Sequence, residues 1–147
     1  MLKGIDPALG PELLAILRAM GHGDEIVIAD SNFPADSHAE RLVRADGLSA
    51  TRLAKAIAAI MPIDDFVPNA AFRMAVTDKP DEVPPIIGEF AGILRDAGYK
   101  GSIEPIERFA FYERAKDAYA IIATGEQRIW ANLILKKGIV PPGDVWE

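Results

Sequence analysis

The chain predicts an α/β fold, a three-layer α/β/α sandwich on a mostly parallel, mixed central sheet. Three observations carry this. Segments with apolar residues at helical spacing alternate with short apolar runs. Two of those runs, Ile26-Val27-Ile28 and the stretch 119–123, are unbroken, as strands covered on both faces are. No repeat, low-complexity tract or linker interrupts the alternation, so residues 1–147 form one domain.

The elements follow in order. Residues 11–20 read as a helix: Pro11 suits its first position, Gly21 its stop, and Leu13, Leu14, Ile16, Leu17 and Met20 make one apolar face. Residues 25–29 read as a buried strand. Residues 31–37, with Pro34, read as a loop, and 42–45 as a short strand closed by the Asp46-Gly47 turn. A second helix spans 49–61, with Leu53, Ile57 and Ile60 on one face. A strand over 70–76 follows the Pro68 turn. The clearest helix is 82–97, where Val83, Ile86, Ile87, Phe90, Ile93, Leu94 and Ala97 keep the 3.6-residue period and Gly98 caps it. The prolines at 80, 84 and 85 mark its start. Pro105 confines the strand 102–106 to a sheet edge or a strand end. A short helix over 108–116 and strands at 119–123 and 133–135 complete the sheet before the Pro141-Pro142 tail.

Composition removes several function classes. The formal net charge is -6, with 22 acids against 16 bases, which argues against a nucleic-acid partner. The densest basic spot, Lys136-Lys137, reads as a solvated strand end. There is no cysteine, so disulfides, thiolate nucleophiles and Cys-based metal sites are excluded. No apolar run has the length of a membrane span, and the first six residues lack the apolar region of a signal peptide. The expectation is a cytoplasmic protein with no membrane partner. His22, Asp24, Asp30, Asp36 and His38 share one third of the chain, but none is paired at helical ligand spacing, so no metal is expected.

The most informative stretch is Gly21-His22-Gly23-Asp24-Glu25, which leads through an apolar run to Asp30. Histidine gives and takes protons near neutral pH, and an acid at a strand end is well placed to meet a ligand. The alternatives stand beside these readings: a Gly-His-Gly turn can cap the preceding helix, and Asp30 can cap the next turn. The second glycine suggests backbone that must clear something close. Gly21-x-Gly23 is no dinucleotide loop, since it precedes its strand and lacks the third glycine. Asp30-Ser31-Asn32 lacks the second acid of an aspartyl-phosphate motif. The stretch Arg108-Phe109-Ala110-Phe111-Tyr112-Glu113 is either core packing with a surface ion pair or the wall of a pocket for a polar ring. Trp130-Ala131-Asn132 repeats the pairing of an aromatic with a polar group.

Taken together, these residues resemble one family. The matching pieces are Pro11-Glu12-Leu13-Leu14, Met20-Gly21-His22-Gly23-Asp24-Glu25-Ile26, and Asp30 with Phe33-Pro34-Ala35. They continue with Arg44-Ala45-Asp46-Gly47-Leu48, the stretch from Arg108 to Ala115, Thr124-Gly125-Glu126, and Asn132 to Gly138. The chain is similar, from Met1 to about Pro141, to the RbsD/FucU family of D-ribose pyranases and L-fucose mutarotases, and more to the fucose branch.

The resemblance implies an isomerase that interconverts anomers or ring forms of a free monosaccharide without metal or cofactor. It implies His22 as the proton-donating catalytic residue, and Asp30, Arg108 and the segment Trp130, Ala131 and Asn132 as substrate contacts. Arg108 points to the fucose branch, because the ribose branch usually carries histidine there. Trp130 stands where the family more often has tyrosine; it keeps a stacking face and loses a hydroxyl. D-ribose pyranase is the second reading, and a non-catalytic sugar-binding accessory of transport the third.

The spacing sets a geometric condition. At about 3.3 Å per residue, a straight strand of five or six residues separates His22 from Asp30 by roughly 15–20 Å, too far for one sugar ring to touch both. Either the chain curls at Gly23-Asp24 or the two residues come from different subunits. The resemblance implies ring-shaped assemblies, decamers included, with sites near subunit contacts, so a homo-oligomer is expected.

Overall fold

The structure, a computed structural model, describes residues 1–143. Helices and strands alternate as α1 (Pro11–Ala19), β1 (Glu25–Ala29), α2 (Ala35–His38), β2 (Leu42–Ala45), α3 (Ala50–Ala58), β3 (Ala71–Met74), α4 (Pro85–Asp96), β4 (Ile103–Ile106), α5 (Arg108–Asp117), β5 (Ala120–Thr124) and β6 (Leu133–Lys136). The six strands form one sheet in the order β2-β5-β1-β6-β3-β4. β2, β5 and β1 pair in parallel, as do β3 and β4, and β6 runs antiparallel to both of its neighbours. The sheet is therefore mixed through one reversed strand. That strand does not close an edge of the sheet; it fills the middle.

Two apolar clusters flank the sheet, which makes the three layers. Residues of α1, α3 and α4 pack with Ile26, Ile28, Leu133 and Leu135 on one face. Residues of α2 and α5 pack with Val27, Ala29, Phe72 and Ile134 on the other. β1 is central, and its residues from Ile26 to Ala29 are fully buried. Burying each such branched side chain stabilises the fold by about 1.5–3 kcal/mol. This is why that run is unbroken rather than alternating. Pro105 lies on β4, an edge strand, where its missing N–H costs no ladder bond.

Several boundaries differ from the sequence expectations for local reasons. The helix expected from residue 82 starts at Pro85, because a residue before proline is driven to extended backbone; Pro84 sits at ψ 146. Val83 is therefore outside the helix and 60% exposed. The second helix begins after Ser49, whose hydroxyl accepts the Arg52 N–H, and ends at Ala58. Ile60 then turns outward, and Met61 takes the buried place. The loop after Asp30 contains a one-turn helix, α2, after Pro34. Lys137 is not a solvated strand end. Its ammonium donates to the carbonyls of Leu17 and Met20, the open end of α1, and burial pushes its pKa down. Among the described residues, no helix is long and apolar enough to cross a membrane.

Candidate functional site

Parallel strands deliver their C-terminal ends to one side of the sheet, where ligands of open α/β sheets bind. Here Asp30 follows β1, Met74 ends β3 and Arg108 follows β4 at the start of α5. Because β6 is reversed, the residues before it, Trp130, Ala131 and Asn132, arrive at the same side. Asp30, Arg108, Trp130 and Asn132 line one cleft of about 280 Å³, with Tyr112 and Met74. Ala131 is fully buried beneath it.

Asp30 and Asn132, both buried, form a reciprocal pair across the strands. The Asp30 N–H donates to Asn132 Oδ1 at 2.8 Å, and Asn132 Nδ2 donates to Asp30 Oδ2 at 3.0 Å. Asp30 Oδ1 also accepts the Asn32 N–H at 3.0 Å, so the turn-capping reading of Asp30 holds beside its place in the cleft. Burial pushes the Asp30 carboxyl above its ordinary value of 3.8, against the bonds from Asn32 and Asn132. The amide of Asn132 is thus largely committed to setting Asp30.

Arg108 lies at the first turn of α5, where Glu107 accepts the Ala110 N–H and fixes the helix start. Its Nε donates to Tyr112 Oη at 3.0 Å, one helical turn on. Of the aromatic stretch beginning at Phe109, Phe111 is core, Phe109 is exposed, and Tyr112 walls the cleft. The stretch is thus divided between core packing at Phe111 and a cleft wall at Arg108 and Tyr112. Trp130 has φ 64, in the left-handed region that disfavours a bulky side chain by about 1–2 kcal/mol. The loop before it holds it there: Ser31 N–H donates to the Glu126 carbonyl, and Arg128 joins buried Glu126 to Glu89 of α4.

His22 is not in this cleft. It precedes β1, at the opposite side of the sheet. A turn over residues 21–24, with the Asp24 N–H donating to the Gly21 carbonyl, precedes β1, but β1 itself stays extended, paired with β6 over Glu25–Ile28 and with β5 over Ile26–Ala29, so the turn does not shorten the strand between His22 and Asp30. Among the described residues the His22 ring bonds no helix carbonyl; Lys137 does that work. Its Nε2 stands 3.0 Å from Oδ1 of Asp64, and its ring lies 5.3 Å from that of Phe66. Gly23 is required for its φ of 88, not for clearance, since a Cβ there would meet nothing within 4 Å.

Asp64 is the residue that sequence reasoning missed. It is 3% exposed, while the His22 side chain is 44% exposed. Burial alone would raise the Asp64 carboxyl, but the Phe66 N–H and the His22 ring outweigh it and hold the pKa below 3.8. Asp64 reaches His22 through backbone bonds to the far end of β6: its N–H donates to the Lys136 carbonyl, and Gly138 N–H donates to Pro62. A Cβ at Gly138 would lie 2.8 Å from Asp64 Cα, so glycine permits this approach. An ionised Asp64 selects the tautomer with its proton on Nε2, which leaves Nδ1 as the acceptor nitrogen. Among the described residues, no three His, Asp or Glu side chains converge as a metal-ligand set.

The family model described as the RbsD / FucU transport protein family matches residues 3–140. The fucose mutarotase of Danio rerio is 47% identical over 148 residues, 97% of this chain and 96% of that protein. The L-fucose mutarotase of Actinobacillus pleuropneumoniae serotype 5b (strain L20) is 44% identical, covering 96% of this chain and 99% of its own. Among solved structures, the fucose mutarotase from Streptococcus pneumoniae in complex with L-fucose superposes with a TM-score of 0.90 at 43% identity, covering 95% of this chain and 100% of that one. Bacillus subtilis RbsD complexed with D-ribose superposes with a TM-score of 0.72 at 28% identity, covering 96% and 100%.

Proposed function

This chain belongs to the RbsD / FucU transport protein family, and we propose that it is a mutarotase interconverting the anomers of free L-fucose. The observation that carries this is the cleft at the C-terminal end of β1. It gathers a carboxylate acceptor, a guanidinium donor and an aromatic face around space for one sugar. Relatives named fucose mutarotase match nearly the whole chain, and the L-fucose-bound neighbour is nearer in fold than the ribose-bound one. Arg108 supports the same branch.

The reaction needs one proton taken from the anomeric hydroxyl and one delivered to the ring oxygen. The ring C–O bond then breaks to give the aldehyde, which rotates and closes on its other face. His22 supplies one of these transfers through Nδ1, steadied by Asp64. Asp30 and Arg108 hold hydroxyls, Trp130 stacks on the C–H face of the sugar, and Asn132 sets Asp30. Nothing in the cycle is consumed, and no cofactor or metal enters it.

His22 and Asp30 of one chain face opposite sides of the sheet, so the working site is built from two copies. Exposed Phe66 beside His22, and exposed Ile129 and Phe109 around the cleft, support contacts between copies there. The protein is a homo-oligomer, a decameric ring or smaller, of a one-domain cytoplasmic chain. Saturation-transfer NMR on free L-fucose, D-ribose and D-galactose tests the assignment. Accelerated anomer exchange of L-fucose is expected, and its loss in His22→Ala with sugar binding partly retained. Binding without acceleration identifies a sugar-binding accessory instead.

A further inference from the structure

Arg73 sits within β3, opposite Pro105 of β4 and Leu133 of β6. Ala71 belongs to the face covered by α1, α3 and α4, and Phe72 and Met74 belong to the other. Strand alternation therefore turns Arg73 toward α4, away from the sugar cleft that Met74 lines. The residue is 4% exposed, and its Nη1 is buried with no hydrogen-bond partner among the described residues. A guanidinium does not shed its proton in a protein, and a buried charge is costly unless compensated. Burial lowers its pKa with no carboxylate acting against that shift.

The surroundings point to what compensates it. Arg73 lines a cleft of about 700 Å³ between α4 and the edge strand β4. Arg95 and Lys100, both exposed, line the same cleft, and among the described residues no Asp or Glu does. The remaining wall is largely apolar, with Ile87, Val83 and Ile103. The volume is in the range of small-molecule sites. We infer that this cleft binds a small organic anion, its carboxylate or phosphate on Arg73 between Arg95 and Lys100 and its carbon skeleton on the apolar wall. The site is separate from the sugar cleft and stands whether or not the mutarotase assignment does.

The test titrates the full-length protein with inorganic phosphate and, separately, with succinate at constant ionic strength, read by calorimetry and thermal unfolding. Saturable binding of one or both is expected, and the anion that saturates identifies the group the cleft takes. The Arg95→Ala/Lys100→Ala double variant, altered only at exposed side chains, is expected to bind at least tenfold more weakly while L-fucose anomer exchange is unchanged. Arg73→Met is expected to abolish binding. Failure of that variant to fold leaves the double variant as the deciding measurement. A non-saturating response, or one equal in the double variant, overturns the inference. So does an assembly that falls apart in the double variant with no anion response, since a carboxylate of another copy then fills the cleft.

Discussion

A hybrid-assembly experiment decides whether one site draws on two chains. Along β1 the five residues from Glu25 to Ala29 are extended, paired with β6 over Glu25–Ile28 and with β5 over Ile26–Ala29. At about 3.3 Å per residue, that strand and its flanks hold His22 and Asp30 roughly 15–20 Å apart, several times the reach of one sugar ring. The perturbation is to co-express two differently tagged proteins, His22→Ala and Asp30→Ala, and to purify oligomers that carry both tags. Each variant alone has no complete site. If His22 of one copy faces Asp30 of the next in a head-to-tail ring, random equal mixing leaves about one quarter of sites with both residues intact. The hybrid therefore recovers about a quarter of the wild-type anomer exchange of L-fucose, read by saturation transfer between anomeric resonances. Arg108→Ala, altered at an exposed side chain, repeats the mixture without disturbing the buried Asp30–Asn132 pair. A hybrid no more active than its parents refutes the two-chain site, because one-chain sites are all broken in the mixture.

Three further outcomes are expected. Asp64→Asn keeps an acceptor for the Phe66 N–H but removes the charge facing His22 Nε2, so kcat falls by about tenfold or more with little change in KM. Nitrogen-15 shifts of the His22 ring should then lose their Nε2–H preference, and an unchanged ring and rate would remove Asp64 from the mechanism. Because Asp30 is raised above 3.8, L-fucose affinity falls on acidification with a midpoint above that value; calorimetric Kd values across pH read it, and a midpoint at or below 3.8 contradicts the role. By the same shift, folding stability carried by Asp30 is fully present below 3.8 and is lost as pH rises through the raised value. Gly138→Ala drives a Cβ into the Asp64 backbone, so urea unfolding should show a loss of about 1–3 kcal/mol together with reduced activity, and wild-type values for both would show that the contact relaxes freely.

The sheet was legible wherever burial on both faces left an unbroken β-branched run, as at Ile26-Val27-Ile28. The edge position of β4 was legible in one proline. Helix ends were less so: Pro84 is held in extended backbone by the proline after it, which an apolar period cannot register. Lys137 misled for a related reason: its sequence neighbours are a strand end, but its spatial neighbours are the free carbonyls of α1.

In the site, Asp30, Arg108, Trp130 and Asn132 stood out as residue types, and the resemblance joined them. The chain dictated the layered α/β architecture residue by residue, since periodicity and β-branching are local properties written along it. It also determined that His22 and Asp30 are a strand apart, because the rise per residue of an extended chain is nearly constant. The reversal of β6, which carries Trp130 and Asn132 to the end of the sheet where Asp30 lies, arises from how the strands assemble. The fold alone supplied Asp64 to His22 across 42 positions and left Nη1 of Arg73 buried with no partner among the described residues. Such pairings depend on which strands become neighbours, and that is settled by packing of the whole sheet rather than by any local run of residues.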